Sequence, residues 1–144
     1  MSYTYDYPRP SVTVDMIICA WVEDDRKILL IKRAAEPFKN RWALPGGFVD
    51  KNEDLIDAAH RELKEETGLH GLELKQLGAF GKPGRDPRGH TISIVFGAVV
   101  HETIPAIAAD DADEARWFSL KSLPLLAFDH DEIISKVLSD LLEN

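Results

Sequence analysis

A dense group of acidic side chains lies in the middle of this 144-residue sequence. Glu65 and Glu66 follow Glu62 by three and four residues, so on a helix the three carboxylates project from one side within about one turn. Like charges held this close repel each other. A hard divalent cation such as Mg²⁺ would relieve the repulsion, because it prefers oxygen ligands and shares them with water and substrate phosphates. The spacing therefore predicts a metal site.

Two glycines and two oppositely charged residues are placed to support this acidic group. Gly46 and Gly47 precede it at a predicted turn, where the lack of side chains lets a backbone carbonyl approach a cation as a further ligand. Arg61 and Glu53 can pair, which would fix the carboxylate rotamers because the guanidinium is a rigid fork of donors.

An acidic run on a helix is in most proteins only a solvated face. Here the fixed residues form a longer pattern, which runs from Gly47 through Glu53 and Arg61 to Gly68 and Leu69. A chance match to such a pattern has a probability on the order of 10⁻⁹ per window at ordinary residue frequencies. The pattern therefore favours a functional site over a solvated face.

The surrounding residues predict the elements that must position this site. Helical spacing extends over about residues 54–67, with Gly68 as the stop, and a second amphipathic helix, capped by Asp129 or Asp131, closes the chain. Apolar patterns predict strands at 12–22, 27–32, 42–44, 72–80, 90–101 and 115–118, with a turn at Asp24 and Asp25 after the first. Strands alternating with two helices predict an α/β fold, in which a mixed β-sheet carries one helix on each face.

Length and composition are typical of one soluble globular domain over residues 1–144. A formal charge of −8, from 25 acidic and 17 basic side chains, disfavours a broad surface for nucleic acid. The longest apolar run, residues 16–22, is too short to span a membrane, and the start does not resemble a signal peptide. We expect a cytoplasmic protein without nucleic-acid or membrane partners, and we interpret its single cysteine, Cys19, as a buried structural thiol.

Residues 47–69 resemble the signature of the Nudix hydrolase family and match it at every defining position. Segments 42–47 and 113–118 are similar to the family as well, so the resemblance covers most of the chain. It implies an α/β/α sandwich around a mixed sheet, and hydrolysis of a nucleoside diphosphate linked to another group with Mg²⁺ or Mn²⁺. Small family members are often homodimers, so the resemblance also implies a homodimer.

The resemblance implies roles for individual residues. The implied metal ligands are Glu62, Glu65, Glu66 and the carbonyl of Gly46. Arg61 and Glu53 are implied to organise these ligands. The general base stays open, because family members take it either from the signature or from a loop near the late strand; the candidates here are Glu65, Asp110, Asp111 and Glu114. For Asp110 and Asp111 a solvated turn is an equally good interpretation.

Segment 81–89 is similar to the corresponding loop of ADP-ribose pyrophosphatases within this family. Its positive residues, Lys82, Arg85 and Arg88, are candidates for contacting phosphates, while the alternative is a hairpin with solvated charges. The aromatic candidates for stacking an adenine ring are Tyr3, Tyr5, Tyr7, Trp42 and Phe80, although aromatic residues at strand spacing are more often core. The leading hypothesis is cleavage of ADP-ribose to AMP and ribose 5-phosphate.

Two other functions stay open. A nucleoside triphosphate pyrophosphatase would release free diphosphate instead. A non-catalytic domain that senses ADP-ribose is disfavoured, because such regulators usually append a DNA-binding domain, the last predicted helix lacks a basic face and the implied metal ligands are complete. The five histidines and one cysteine lack zinc spacing, and no P-loop, dinucleotide-binding or Gly-x-Ser-x-Gly motif occurs.

Overall fold

Strand β1 (Ser11–Val22) organises the fold, because apolar residues occupy both of its faces. Side chains alternate across a strand, so Met16 and Ile18 enter one core while Ile17 and Cys19 enter another on the opposite side of the sheet. Residues 13–20 are buried throughout. The expectation of a strand buried on both sides is confirmed.

The computed structural model describes residues 4–106 and 112–142. The other elements are β2 (Asp25–Arg33), β3 (Trp42–Ala43), β4 (Gly46–Phe48), α1 (Leu55–Thr67), β5 (Lys75–Phe80), β6 (Thr91–Val100), β7 (Ala112–Ser119) and α2 (His130–Leu142). The sheet runs in the order β3-β2-β1-β6-β5, with β4 paired to β1 and β7 paired to β2. β1 and β6 are parallel and the other pairs are antiparallel, so the predicted mixed sheet is confirmed.

The two helices cover opposite faces of the sheet. Ala58 and Leu63 of α1 pack into the core that contains Met16, whereas Ile133 and Val137 of α2 pack into the core that contains Ile17 and Cys19. The predicted arrangement of one helix on each face is confirmed. Within the residues that the structure describes, no helix has the length and apolar character needed to cross a membrane.

The helix ends follow local rules, with one change from the prediction. Gly68 ends α1 in the left-handed conformation at φ 77°, and its N–H donates to the Lys64 carbonyl. The side chain of Asp131 accepts the Glu132 N–H in the first turn of α2. Asp129 precedes that helix, but its carboxylate binds Arg85 instead of capping the helix.

Several strand boundaries differ from the sequence prediction. The first turn lies at Glu23 and Asp24, both with positive φ (47° and 65°), so Asp25 is the first residue of β2 and pairs with Val22. The predicted strand 42–44 shortens to β3, and β4 is an additional short strand that begins after Pro45, which cannot donate a ladder hydrogen bond.

Strands β5, β6 and β7 also shift at their ends. β5 begins at Lys75 because Leu72 and Leu74 pack into the core beneath α1 instead of pairing with a neighbouring strand. β6 is one residue shorter at each end than predicted, and β7 is longer because it pairs with β2 along most of its length.

Candidate active site

A cavity of about 770 Å³ lies between α1 and the loop at residues 81–89. Its lining includes Glu62, Glu65 and Glu66 from α1, and Arg85 and Arg88 from the loop. The fold therefore brings together residues that the sequence predicted separately for metal binding and for contact with phosphates.

The turn at Gly46 and Gly47 packs against this cavity without room for side chains. A Cβ at Gly47 would lie 2.5 Å from the carboxyl carbon of Glu62, and one at Gly46 would lie 2.6 Å from Asp15 Oδ1. The Gly46 N–H donates a hydrogen bond of 2.6 Å to Glu66 Oε1. Glycine is therefore required at Gly46, where a side chain would meet the β1 backbone, whereas a side chain at Gly47 would displace the Glu62 carboxylate.

The guanidinium of Arg61 gathers four carboxylates. It donates two hydrogen bonds to Glu53, from Nε over 2.7 Å and from Nη2 over 2.9 Å. Nη1 donates to Glu62 over 2.8 Å and to Glu65 over 3.2 Å, and a carboxylate oxygen of Asp50 lies 3.4 Å from Nε. The structure contains the predicted Arg61–Glu53 pair, and one positive charge faces four negative charges.

Pairing and burial shift the pKa values within this group. Hydrogen bonds from Arg61 and from the Asp50 backbone N–H lower the pKa of Glu53 from 4.5 to about 2. The same pairing raises the pKa of Arg61 above its usual value. Burial raises the pKa of Glu62, and the hydrogen bond from Arg61 opposes that shift. A cation beside Glu62 would offset the cost of keeping its buried carboxylate charged.

The chemistry of these donors fits Mg²⁺ or Mn²⁺. The α1 side chains that line the cavity are carboxylates, Gly46 lines the cavity beside them, and hard divalent cations prefer oxygen ligands. Across residues 4–106 and 112–142, no three acidic, histidine or cysteine side chains already converge as a metal cage. Arg61 holds Glu62 and Glu65, while the Gly46 N–H holds Glu66.

On the loop side each arginine pairs with one aspartate. Arg85 donates to both carboxylate oxygens of Asp129 over 2.8 and 3.0 Å, and its side chain is only 5% exposed. Arg88 donates to both oxygens of Asp86 over 2.8 and 3.1 Å and is 40% exposed. Burial raises the pKa of Asp86, but hydrogen bonds from Arg88 outweigh it and hold that pKa below its usual value. Both arginine charges are therefore balanced within the protein.

Other predicted site residues lie elsewhere. Among the described residues that line the cavity, Lys82, Phe80 and Glu114 do not occur. Lys82 is exposed, Phe80 packs against the core beneath α2, and Glu114 lies on β7 in a solvent-exposed ion pair. Asp110 and Asp111, two candidates for the general base, lie outside the described residues.

The described aromatic residues among those predicted to stack adenine do not line the cavity either. Trp42 packs against the core beneath α2. Tyr5 and Tyr7 lie in the N-terminal arm beside Arg9, and Tyr3 lies outside the described residues. The structure therefore assigns none of the described members of this group to the cavity wall.

Two other aromatic rings, Phe48 and Phe128, line the cavity and were missed in the sequence. The guanidinium carbon of Arg88 lies 4.9 Å from the centre of the Phe48 ring and 5.3 Å from that of Phe128. Phe48 is 42% exposed, which is unusual for a large apolar side chain. The available signal was its position immediately after the Gly46–Gly47 turn.

Two buried polar residues of the cavity, Asp15 and His130, were also missed. Asp15 lies within β1, and His130 is the first residue of α2. The Leu44 N–H donates to His130 Nδ1 over 3.0 Å, and burial lowers the pKa of His130. A charged residue inside an otherwise apolar strand was the available signal for Asp15, while no local pattern marks His130.

The chain matches known proteins over nearly all of its length. A family model of the NUDIX domain matches residues 13–141. The chain belongs to the NUDIX family. It is 52% identical over 130 residues to an ADP-ribose pyrophosphatase of Methanocaldococcus jannaschii, covering 89% of this chain and 73% of that protein. The resemblance stated from residues 47–69 is confirmed, and with it the class of Nudix pyrophosphohydrolases.

Further Nudix relatives include a regulator and solved structures. The chain is 38% identical over 140 residues to the ADPR responsive transcriptional repressor NtrR of Acinetobacter baylyi, covering 94% of this chain and 56% of that protein. A MutT/nudix family protein from Enterococcus faecalis superposes with a TM-score of 0.87 at 37% identity, covering 99% of this chain and 66% of that one. The NUDIX domain of Shewanella oneidensis NrtR, solved with ADP ribose, also has a TM-score of 0.87, at 29% identity, covering 95% and 94% of the two chains. The chain thus spans about half to two thirds of the length of some relatives.

Proposed function

We propose that this Nudix protein hydrolyses ADP-ribose to AMP and ribose 5-phosphate with Mg²⁺ or Mn²⁺. The observation that carries the proposal is the group of α1 carboxylates around Arg61, which line one cavity with the loop at residues 81–89. Two relatives support the substrate: the M. jannaschii protein is named an ADP-ribose pyrophosphatase, and the S. oneidensis domain was solved with ADP ribose.

In this proposal the α1 side of the cavity holds the cation and the diphosphate. Glu62, Glu65, Glu66 and the Gly46 carbonyl would hold the metal. When bound, the cation would neutralise charge on the diphosphate and lower the pKa of an attacking water. Arg61 fixes the rotamers of Glu62 and Glu65 through its hydrogen bonds, so these carboxylates need little reorganisation during the reaction.

The loop side orients the substrate in this mechanism. Because Asp86 already balances the charge of Arg88, that guanidinium is suited to extend a flat surface beside Phe48. We assign the adenine ring to this exposed surface, since bases stack on aromatic rings and on guanidinium planes. Of the described candidates for the general base, Glu65 lines the cavity and Glu114 does not, which favours Glu65.

Product analysis tests this function. Purified protein with millimolar Mg²⁺ should convert ADP-ribose to equal amounts of AMP and ribose 5-phosphate, and a chelator should stop the reaction. A panel of nucleoside triphosphates, NADH and diadenosine polyphosphates, separated by chromatography, completes the assay. Preference for a triphosphate with release of free diphosphate would contradict the proposal and support a nucleotide clean-up enzyme instead.

Similarity to the NtrR repressor favours a second candidate, a domain that binds ADP-ribose without cleaving it. This candidate predicts tight binding of ADP-ribose by calorimetry and no turnover with either metal. In addition, it predicts unchanged affinity in Glu66→Gln, because sensing would not require a metal ligand. Rapid turnover of ADP-ribose would reject it.

The homodimer implied by the family is part of this proposal. Light scattering at working concentration should give about twice the monomer mass of 16.2 kDa. A monomeric mass would reject the dimer without affecting the proposed reaction.

A further inference from the structure

Asp15 and His130 each keep one polar atom available to the cavity. Oδ2 of Asp15 accepts hydrogen bonds from Thr13 and Ser93, but no donor in the described part of the chain makes a hydrogen bond to Oδ1. His130 Nε2 lies 3.9 Å from Oδ1, too far for a hydrogen bond. Among described residues, every fully buried side-chain nitrogen or oxygen has a partner. Oδ1 and Nε2 are therefore reached from the cavity, which both residues line.

The contacts of His130 define its protonation. The Leu44 N–H donates to Nδ1, so Nδ1 is the acceptor and the ring proton lies on Nε2. Burial lowers the pKa of His130, which agrees with a neutral ring. The pair thus presents one N–H donor and one carboxylate acceptor, and the two atoms are separated by 3.9 Å.

This pair lies next to the α1 carboxylates. Asp15 pairs with Gly46 across β1 and β4, and the Gly46 N–H binds Glu66. A diphosphate held at α1 therefore lies within reach of Asp15 and His130, so one of its two substituents can contact this pair. ADP-ribose and a nucleoside triphosphate share the nucleoside end, and they differ at the other end, where ADP-ribose carries the terminal ribose and the triphosphate carries a third phosphate.

Resting on the proposed function, we propose that Asp15 and His130 bind hydroxyl groups of the terminal sugar, the one that carries no base. The pair would thereby select sugar diphosphates over nucleoside triphosphates. A hydroxyl accepts a hydrogen bond from Nε2–H and donates one to Oδ1. An ionised phosphate has no proton to donate, and the carboxylate repels it. The pair thus combines attraction for one substrate with repulsion of the other.

The first test is Asp15→Asn, assayed with ADP-ribose and with ATP. Asparagine keeps the size of the side chain, and its carbonyl still accepts from Thr13 and Ser93, but the charge and the acceptor facing the cavity are lost. The ratio of kcat/KM for ADP-ribose to that for ATP should fall about 10- to 100-fold, the range for a hydrogen bond to a charged group. Asp131→Asn is the matched control, since it removes the same charge from an exposed residue adjacent to His130 and should leave the ratio unchanged.

A second variant keeps the proposal testable if Asp15→Asn does not fold. In His130→Asn the amide oxygen can still accept the Leu44 N–H, whereas the donor at Nε2 is absent. The same ratio should fall about 3- to 10-fold, as for loss of a neutral hydrogen bond. Thermal unfolding of each variant checks its fold.

A change of substrate tests the pair from the other direction. The β-methyl ester of ADP keeps the adenosine and the diphosphate but lacks the terminal sugar, so wild-type kcat/KM should be about 10- to 100-fold lower than for ADP-ribose. In Asp15→Asn the kcat/KM values for these two substrates should differ much less. If Asp15→Asn lowers kcat/KM equally for ADP-ribose and for ATP, so that their ratio is unchanged, the proposal is overturned.

These assays separate the two proposals. If wild-type protein prefers another sugar diphosphate, such as ADP-glucose, the substrate proposed above is wrong. The same ratios, measured with that sugar against ATP, then still support or overturn the role of Asp15 and His130.

Discussion

The two sides of the cavity carry charge in different ways. On the α1 side, the single guanidinium of Arg61 lies within 3.4 Å of four carboxylates. On the loop side, Arg85 and Arg88 each pair with one aspartate. The α1 side therefore keeps a negative surplus that a cation can balance, whereas the loop side is neutral and is suited to orient a substrate. A count of charged residues in the sequence does not reveal this difference, because it depends on which charges meet.

Removing one carboxylate from the α1 side should have the largest effect. Glu66→Gln should lower kcat about 100- to 1000-fold, more than loss of an outer partner of a metal ligand. The glutamine carbonyl can still accept the Gly46 N–H, so the fold should persist. Turnover and thermal unfolding check both points, with the exposed Glu73→Gln as the control. A large loss of stability would show that Glu66 is mainly structural.

Replacing Arg61, the cation that pairs with the α1 carboxylates, should have the next largest effect. Arg61→Lys keeps the charge but loses the fork that holds Glu53, Glu62 and Glu65, so turnover should fall about 10- to 100-fold. Arg116→Lys makes the same change in an exposed ion pair and should be neutral. Equal kinetics in the two variants would contradict the role given to Arg61.

Adding one methyl group at Gly47 tests the close contact between this glycine and the Glu62 carboxylate on α1. Gly47→Ala would place a Cβ 2.5 Å from the Glu62 carboxyl carbon, so that carboxylate must move. Apparent Mg²⁺ affinity, measured as activity against metal concentration, should weaken about 10-fold. At Gly78 a Cβ meets only ordinary contacts at 3.7 Å or more, so Gly78→Ala is the matched control.

On the loop side we expect an effect on stability instead. Arg85→Ala leaves the half-buried Asp129 without its partner, which should lower the free energy of unfolding by about 3 kcal/mol. Arg88 is more exposed, but its partner Asp86 is only 3% exposed and would keep just the backbone N–H of residue 88, so Arg88→Ala should also cost about 3 kcal/mol. Urea unfolding measures both. A raised KM for Arg85→Ala without loss of stability would show that Arg85 contacts phosphate, as the sequence suggested.

The smallest effect is a change in acid stability. The pKa of Glu53 is about 2 in the folded protein against 4.5 normally, so its contribution to stability is present above about pH 4.5 and is lost as the pH falls towards 2. Glu53→Gln removes this dependence. The free energy of unfolding should therefore drop less between pH 6 and pH 3 in the variant than in wild type. Parallel curves would reject the pairing of Glu53 with Arg61.

The α1 side could be predicted because its residues are close in sequence. Glu62, Glu65 and Glu66 share one helix, so helical spacing alone places their carboxylates on one side, and Gly46 and Gly47 precede this helix by one short segment. The same local logic predicted most of β1 and the end of α1 at Gly68.

The rest of the cavity depends on contacts between distant parts of the chain. His130 meets Leu44 across 86 positions, and Arg85 meets Asp129 across 44. Parallel pairing of β1 with β6 brings Ser93 to Asp15, and spacing within either segment does not encode this. For this reason none of the described aromatic residues chosen from strand patterns lines the cavity, while Phe48 and Phe128, which do line it, were overlooked.

The burial of Cys19 in β1 makes the protein's one thiol an internal reporter. Burial raises its pKa to about 12, and the thiolate is the reactive form, so an alkylating reagent has little to react with while the sheet is closed. The labelling rate under native conditions should therefore follow the opening of the central strand. Compared across the variants above, that rate separates substitutions that loosen the sheet from those that alter only the cavity.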